Sequence, residues 1–112
     1  MSKNEFLVVL IKGKQWRVYI QTHTAYKRKH GKDSYAIVYP EDREIWFDKS
    51  NLKLSLIRHE CYHAFLWSTD TEHTSELTIN DVEEISCTIY GNNSKEIDNV
   101  VDQIVDYALK CV

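Results

Sequence analysis

The sequence predicts an α+β fold, a small and mostly antiparallel sheet followed by a helical part that covers it on one face. Three observations carry this. Between residues 5 and 48, apolar and aromatic side chains come in short runs or alternate with polar ones, which is the strand period. From about residue 52 onward, apolar side chains recur at three and four, which is the helix period. Strands therefore come first and helices afterwards, the α+β order. With 112 residues, the chain is long enough for one compact domain, residues 1–112, and too short for two.

The elements follow in order. "EFLVVLI" (5–11) reads as a buried strand, and "KGK" turns it into "QWRVYIQT", where Trp16, Val18 and Ile20 alternate with polar residues. "HTAYKRKHG" reads as a short helix stopped by Gly31. "SYAIVYPEDREIWFD" reads as two strands joined at Pro40-Glu41-Asp42, where Pro and Asp favour a turn. Residues 48–51 supply N-cap candidates for a helix from about Leu52 to Trp67. A second helix carries "DVEEISCTIY" and stops at Gly91-Asn92-Asn93. Ser94 caps a third, whose apolar stripe is Ile97, Val100, Val101, Ile104, Val105, Ala108 and Leu109.

Composition narrows the function classes. Apolar residues make up 43%, with three Trp, seven Tyr, three Phe and only one Pro, which fits a packed core rather than a disordered chain. Fourteen basic against seventeen acidic side chains leave a net charge of −3, so neither nucleic acid nor an anionic membrane is the expected partner. The basic cluster "YKRKHGK" (26–32) reads as a solvated helix end. The N-terminal apolar run, Phe6 to Ile11, is too short for a signal segment or a membrane span. Cys61, Cys87 and Cys111 are an odd number without framework spacing, as expected of reduced thiols in a cytoplasmic protein.

The chemistry concentrates in "HECYH", residues 59–63. On a helix, i and i+4 share one face, so His59 and His63 can direct both imidazoles at one zinc ion. Glu60 then stands beside the open metal position as a general base for water. The neighbours Leu56, Ile57, Ala64, Phe65 and Trp67 are those of a buried helix. Burying polar groups there without partners costs on the order of 1 to 3 kcal/mol each.

A third ligand must come from downstream. A histidine six residues after His63 is ruled out, because Thr69 stands there; His73, ten residues on, is a candidate. "DVEEISC" offers glutamates 20 and 21 residues after His63. On a helical wheel Val82, Ile85 and Ile89 mark the buried face; Glu83 borders it and Glu84 points further away. Glu83 is the preferred third ligand, with Glu84 as the alternative. Cys61 and Cys87 are expected to pack rather than bind metal.

These residues, "HECYH" and the "EE" of "DVEEISC", resemble the gluzincin zinc metallopeptidases, above all the minigluzincins and small phage and bacterial metallopeptidases. The resemblance implies a zincin-like domain and Zn2+ held by His59, His63 and Glu83, with Glu60 activating the water. It also implies a peptide or protein substrate and a Tyr or His that stabilises the tetrahedral intermediate, for which Tyr62, His73, Tyr90 and Tyr107 are available. The chain departs from the family where an aspartate often follows the ligand glutamate by four residues, since Cys87 or Thr88 stands there. The expected function is zinc-dependent peptide hydrolysis, with "REIWFD" (43–48) as the strand an extended peptide would pair with. The alternatives are a zinc-binding adaptor or inhibitor that does not cleave, and an interaction module without metal.

Overall fold

The opening hairpin sets the sheet. The computed structural model describes residues 5–31, 34–68 and 79–110, with side chains at all of these except 66 and 79–94. β1 (Leu7–Ile11) returns as β2 (Lys14–Gln21) through Lys12 and Gly13, both at positive φ, 53° and 77°. Two such residues make the turn whose twist matches an antiparallel pair. Lys12 adopts that backbone at a cost that Gly13 escapes, and its N–H is held by Glu96 Oε1 at 2.8 Å.

α1 (His23–His30) starts at Thr22, whose hydroxyl accepts from the Ala25 N–H at 3.3 Å, and ends at Gly31 with φ 89°. β3 (Ala36–Tyr39) and β4 (Glu44–Asp48) pair antiparallel, and the turn between them falls at the expected Pro-Glu-Asp. A 3₁₀ turn, Lys49–Asn51, is capped by the Asp48 side chain. α2 (Leu54–Ser68) and α3 (Ile79–Lys110) complete the chain.

The fold is α+β, as expected, with one four-stranded sheet in the order β1-β2-β4-β3. The outer pairs are antiparallel and the central pair β2–β4 is parallel, so the sheet is mixed. α1 lies between those two strands in the chain and supplies the crossover that parallel neighbours need.

One face of the sheet, with Val9, Ile11, Trp16, Val18, Ile20, Ile45 and Phe47, forms the main core with Ile57, Ala64 and Phe65 of α2 and Ile97, Val100, Val101 and Ile104 of α3. The Trp16 indole N–H donates to Ser68 Oγ at 2.8 Å and ties β2 to the end of α2. The other face is not bare. Tyr19 and Trp46 stack there with ring centroids 3.9 Å apart, and Tyr26 of α1 is fully buried against them. Helices therefore cover both faces, which corrects the expectation of one. The aromatic residues on that second face carry polar tips, so alternation along β2 and β4 hides how much of it is buried.

Other expectations change as well. Gly91-Asn92-Asn93 does not stop a helix, and Ser94 caps none, because α3 runs unbroken from Ile79 to Lys110. A helical Gly costs only about 1 kcal/mol relative to Ala, and four buried apolar residues of α3 outweigh that. β1 is half-buried rather than buried, with Val8 45% and Leu10 57% exposed. Leu109 and Trp67 also lie outside the core. "REIWFD" contains β4, flanked by β2 and β3, so it has no free edge; among the described residues the edge strands are β1 and β3.

Candidate metal centre

α2 carries core and site on adjoining faces. Ile57, Cys61, Ala64, Phe65 and Ser68 are buried, and Glu60 lies with them at 8% exposure. His59 and His63, a turn apart, sit at the margin of that face, the first exposed and the second half-buried. The histidines thus open to solvent, contrary to the buried setting their apolar neighbours suggest.

Their rings converge. His59 Nε2 and His63 Nε2 are 3.1 Å apart, and the ring planes are nearly perpendicular at 78°. Two nitrogens on one tetrahedral zinc stand roughly 3.3 Å apart, from Zn–N distances near 2.05 Å. The observed separation is close to that spacing, and imidazole nitrogen is a zinc donor.

Glu60 is the most perturbed carboxylate of the described residues. Burial alone pushes its pKa up to about 7 from the ordinary 4.5. A carboxyl titrating near neutrality is suited to take and return a proton, and a nearby cation would favour its charged form. Cys61 behaves oppositely. Its thiol is buried in the main core, and burial, with the Glu60 charge second, pushes its pKa up to about 12. In the metal-free protein the thiol form is strongly favoured there, and Cys61 packs within the core.

The backbone of Glu83 and Glu84 lies in α3, but their side chains, and Cys87, Tyr90 and the whole of His73, lie outside the description. Among the described residues, no group of three His, Cys, Asp or Glu side chains gathers to hold a metal. Tyr62 and Tyr107 pack against the main core as partly buried residues.

Beside His59 the surface opens into a cleft of about 340 Å³ lined by Tyr35, Asn51, Lys53, Ser55, Leu56 and His59. Tyr35 precedes the edge strand β3, and α2 packs against that strand. Asn51 leads from the cleft to a polar cluster that sequence reasoning missed. Asp48, 0% exposed, contacts His23 Nδ1 at 2.7 Å and accepts from Ser50 Oγ at 2.8 Å, the Ser50 N–H at 3.0 Å and Asn51 Nδ2 at 3.2 Å. Burial raises its carboxyl, but these hydrogen bonds outweigh burial and hold it below the usual range.

The Ser-His-Asp composition of that cluster does not make a nucleophilic triad. Ser50 Oγ approaches the same Nδ1 that Asp48 holds, at 3.1 Å, whereas a triad serine must meet the opposite ring nitrogen. The cluster instead fixes the His23 ring. The only linear signal is Asp48 as an N-cap candidate for the following helix; it caps the 3₁₀ turn Lys49–Asn51 instead, ahead of α2, and nothing local to His23 points to its partner 25 residues on. No protein-family model, curated protein or solved structure matches the chain.

Proposed function

We propose that the chain is a zinc-dependent metallopeptidase. The observation that supports this most is the convergence of His59 and His63 Nε2 at 3.1 Å beside a buried Glu60. In this reading His59 and His63 hold the zinc and Glu83, alternatively Glu84, completes the protein ligands. Bound there, zinc supplies Lewis acidity to a water and to the scissile carbonyl.

The chain's own residues do the rest. Glu60 takes the water proton and passes it to the leaving amine, a transfer helped by its near-neutral pKa. The substrate strand adds to the β3 edge rather than to "REIWFD", because β3 is an edge that packs against α2 and its preceding Tyr35 shares the cleft with His59. A zinc adaptor with a closed site would need a fourth protein ligand; Cys61 faces the core, and the other candidates, Cys87 and His73, lie outside the described side chains.

The test is twofold. Protein purified without added zinc is expected to hold one equivalent, lost in His59→Ala. Wild type is expected to cleave a peptide mixture, and Glu60→Gln to bind zinc without cleaving. Zinc retention in both with equal absence of cleavage favours the adaptor; no zinc in wild type overturns both readings.

A further inference from the structure

The cleft next to His59 has a chemical bias that the zinc reading does not require. Of its six described lining residues, Lys53 is the one full charge, Tyr35 and Ser55 bring hydroxyls, and none is acidic. Lys27 adds positive charge beside it, with Nζ 5.0 Å from the centre of the Tyr35 ring. Asp48, bonded to the cleft-lining Asn51, is buried, and its charge is taken up by His23, Ser50 and Asn51. Both amide hydrogens of Asn51 are committed, to Asp48 Oδ2 at 3.2 Å and Ser50 Oγ at 3.0 Å. Its carbonyl oxygen is therefore what Asn51 offers the cleft, an acceptor suited to a peptide N–H.

We infer that this cleft is a specificity pocket for a peptide carboxylate, with Lys53 as the residue that selects it. The inference rests on the peptidase reading for the role of the pocket, though not for its existence. A volume of about 340 Å³ accommodates one side chain or one chain end. Tyr35 and Ser55 hydroxyls donate to the carboxylate, the Lys53 ammonium neutralises it, and Asn51 holds the adjoining backbone. The shared chemistry is the carboxylate itself, whether from an acidic side chain or from a peptide C-terminus. A lysine at the same place on the substrate meets a cation instead, and like charge in a cleft rejects it.

The experiment separates the sources and also separates this inference from the reading it builds on. Zinc-loaded Glu60→Gln protein is titrated with blocked alanine pentapeptides carrying Glu, Gln or Lys at each position in turn, and with an unblocked C-terminus on the all-alanine peptide. Binding is followed by fluorescence anisotropy. The expected result is a preference on the order of tenfold for one carboxylate peptide over its Gln counterpart at low salt, shrinking as salt rises. Preference for a Glu position identifies a side chain, and preference for the free end identifies the terminus. The preference is expected to vanish or reverse in the Lys53→Glu, Glu60→Gln double variant, whose circular dichroism checks folding. Equal binding of Glu, Gln and Lys peptides with no effect of the free end overturns the inference, as does a preference that survives Lys53→Glu. Selective binding with no cleavage by wild type refutes the peptidase reading and leaves the carboxylate pocket standing.

Discussion

Replacing Glu60 by glutamine tests the site through stability, independently of any substrate. In the metal-free protein the Glu60 carboxyl moves from an ordinary 4.5 to about 7 because it is buried. A folded-state value above the unfolded one means that the protonated group suits the fold. Its contribution is fully present below pH 4.5 and is lost as pH rises through about 7. Between pH 4.5 and 8 the linkage for those two values amounts to about 3 kcal/mol. Glutamine does not titrate, so the variant lacks this dependence. Its amide adds an offset on the order of 1 to 3 kcal/mol that is the same at every pH. Asp48 titrates in both proteins and cancels. The assay is urea unfolding of wild type and Glu60→Gln with chelator at pH 4.5, 6, 7 and 8. The expected result is that the variant gains about 3 kcal/mol relative to wild type across that range, with unchanged urea dependence. Zinc added to wild type should flatten its curve, since a cation beside the carboxylate removes the penalty. A difference constant to within about 0.5 kcal/mol refutes the claim that burial is what raises the Glu60 carboxyl.

Other outcomes follow from the same structure. Gly91→Ala is expected to stabilise by about 1 kcal/mol in thermal unfolding, as Ala does inside a helix; destabilisation would mean that the chain turns there. Phe65→Ala, at a site 0% exposed in the main core, should cost roughly 3 to 5 kcal/mol by chemical denaturation. Asp48→Asn should cost roughly 3 kcal/mol at pH 7 by weakening hydrogen bonds to a charged acceptor. Because the Asp48 carboxyl is held below its ordinary range, its contribution is present above that range and lost as pH falls through the lowered value; acid titrations of wild type and variant should therefore converge. Val8→Lys, on the exposed side of β1, should shift stability by no more than about 0.5 kcal/mol.

Much of this fold is legible in the sequence wherever a residue's local pattern and its final environment agree. Trp16, Val18 and Ile20 recur at every second position of β2 and end on the buried face. The stripe from Ile97 to Ile104 has the helix period and meets the sheet. The errors come from elsewhere. Tyr19, Trp46 and Tyr26 look like surface aromatics, but their rings form a second cluster under α1, a pairing set by the parallel β2–β4 register that no short window contains. Gly91 has the composition of a stop, yet helix propensity of about 1 kcal/mol is a small term beside the burial of a whole helix face. The His23–Asp48 contact joins the start of α1 to the end of β4, and only the fold brings them together.

The metal reading draws its force from where α2 departs from good core design rather than from where it obeys it. A helix face made of Ile57, Cys61, Ala64, Phe65 and Ser68 needs nothing more to bury itself against the sheet, yet Glu60 lies on it with its pKa pushed up to about 7. A leucine there would remove the desolvation cost, so the carboxyl is a local conflict with the fold. The two histidines beside it set their Nε2 atoms 3.1 Å apart, a spacing that suits one neutral ring donating to the other and also lies close to that of two nitrogens on one zinc. In the proposed site a divalent cation would take the two nitrogens as neutral ligands and favour the Glu60 carboxylate. Either feature alone has an ordinary explanation, a buried protonated acid or a proton shared between two imidazoles. Their adjacency on one turn of α2, at the edge of a cleft, is the observation that supports the proposed zinc site over either explanation alone.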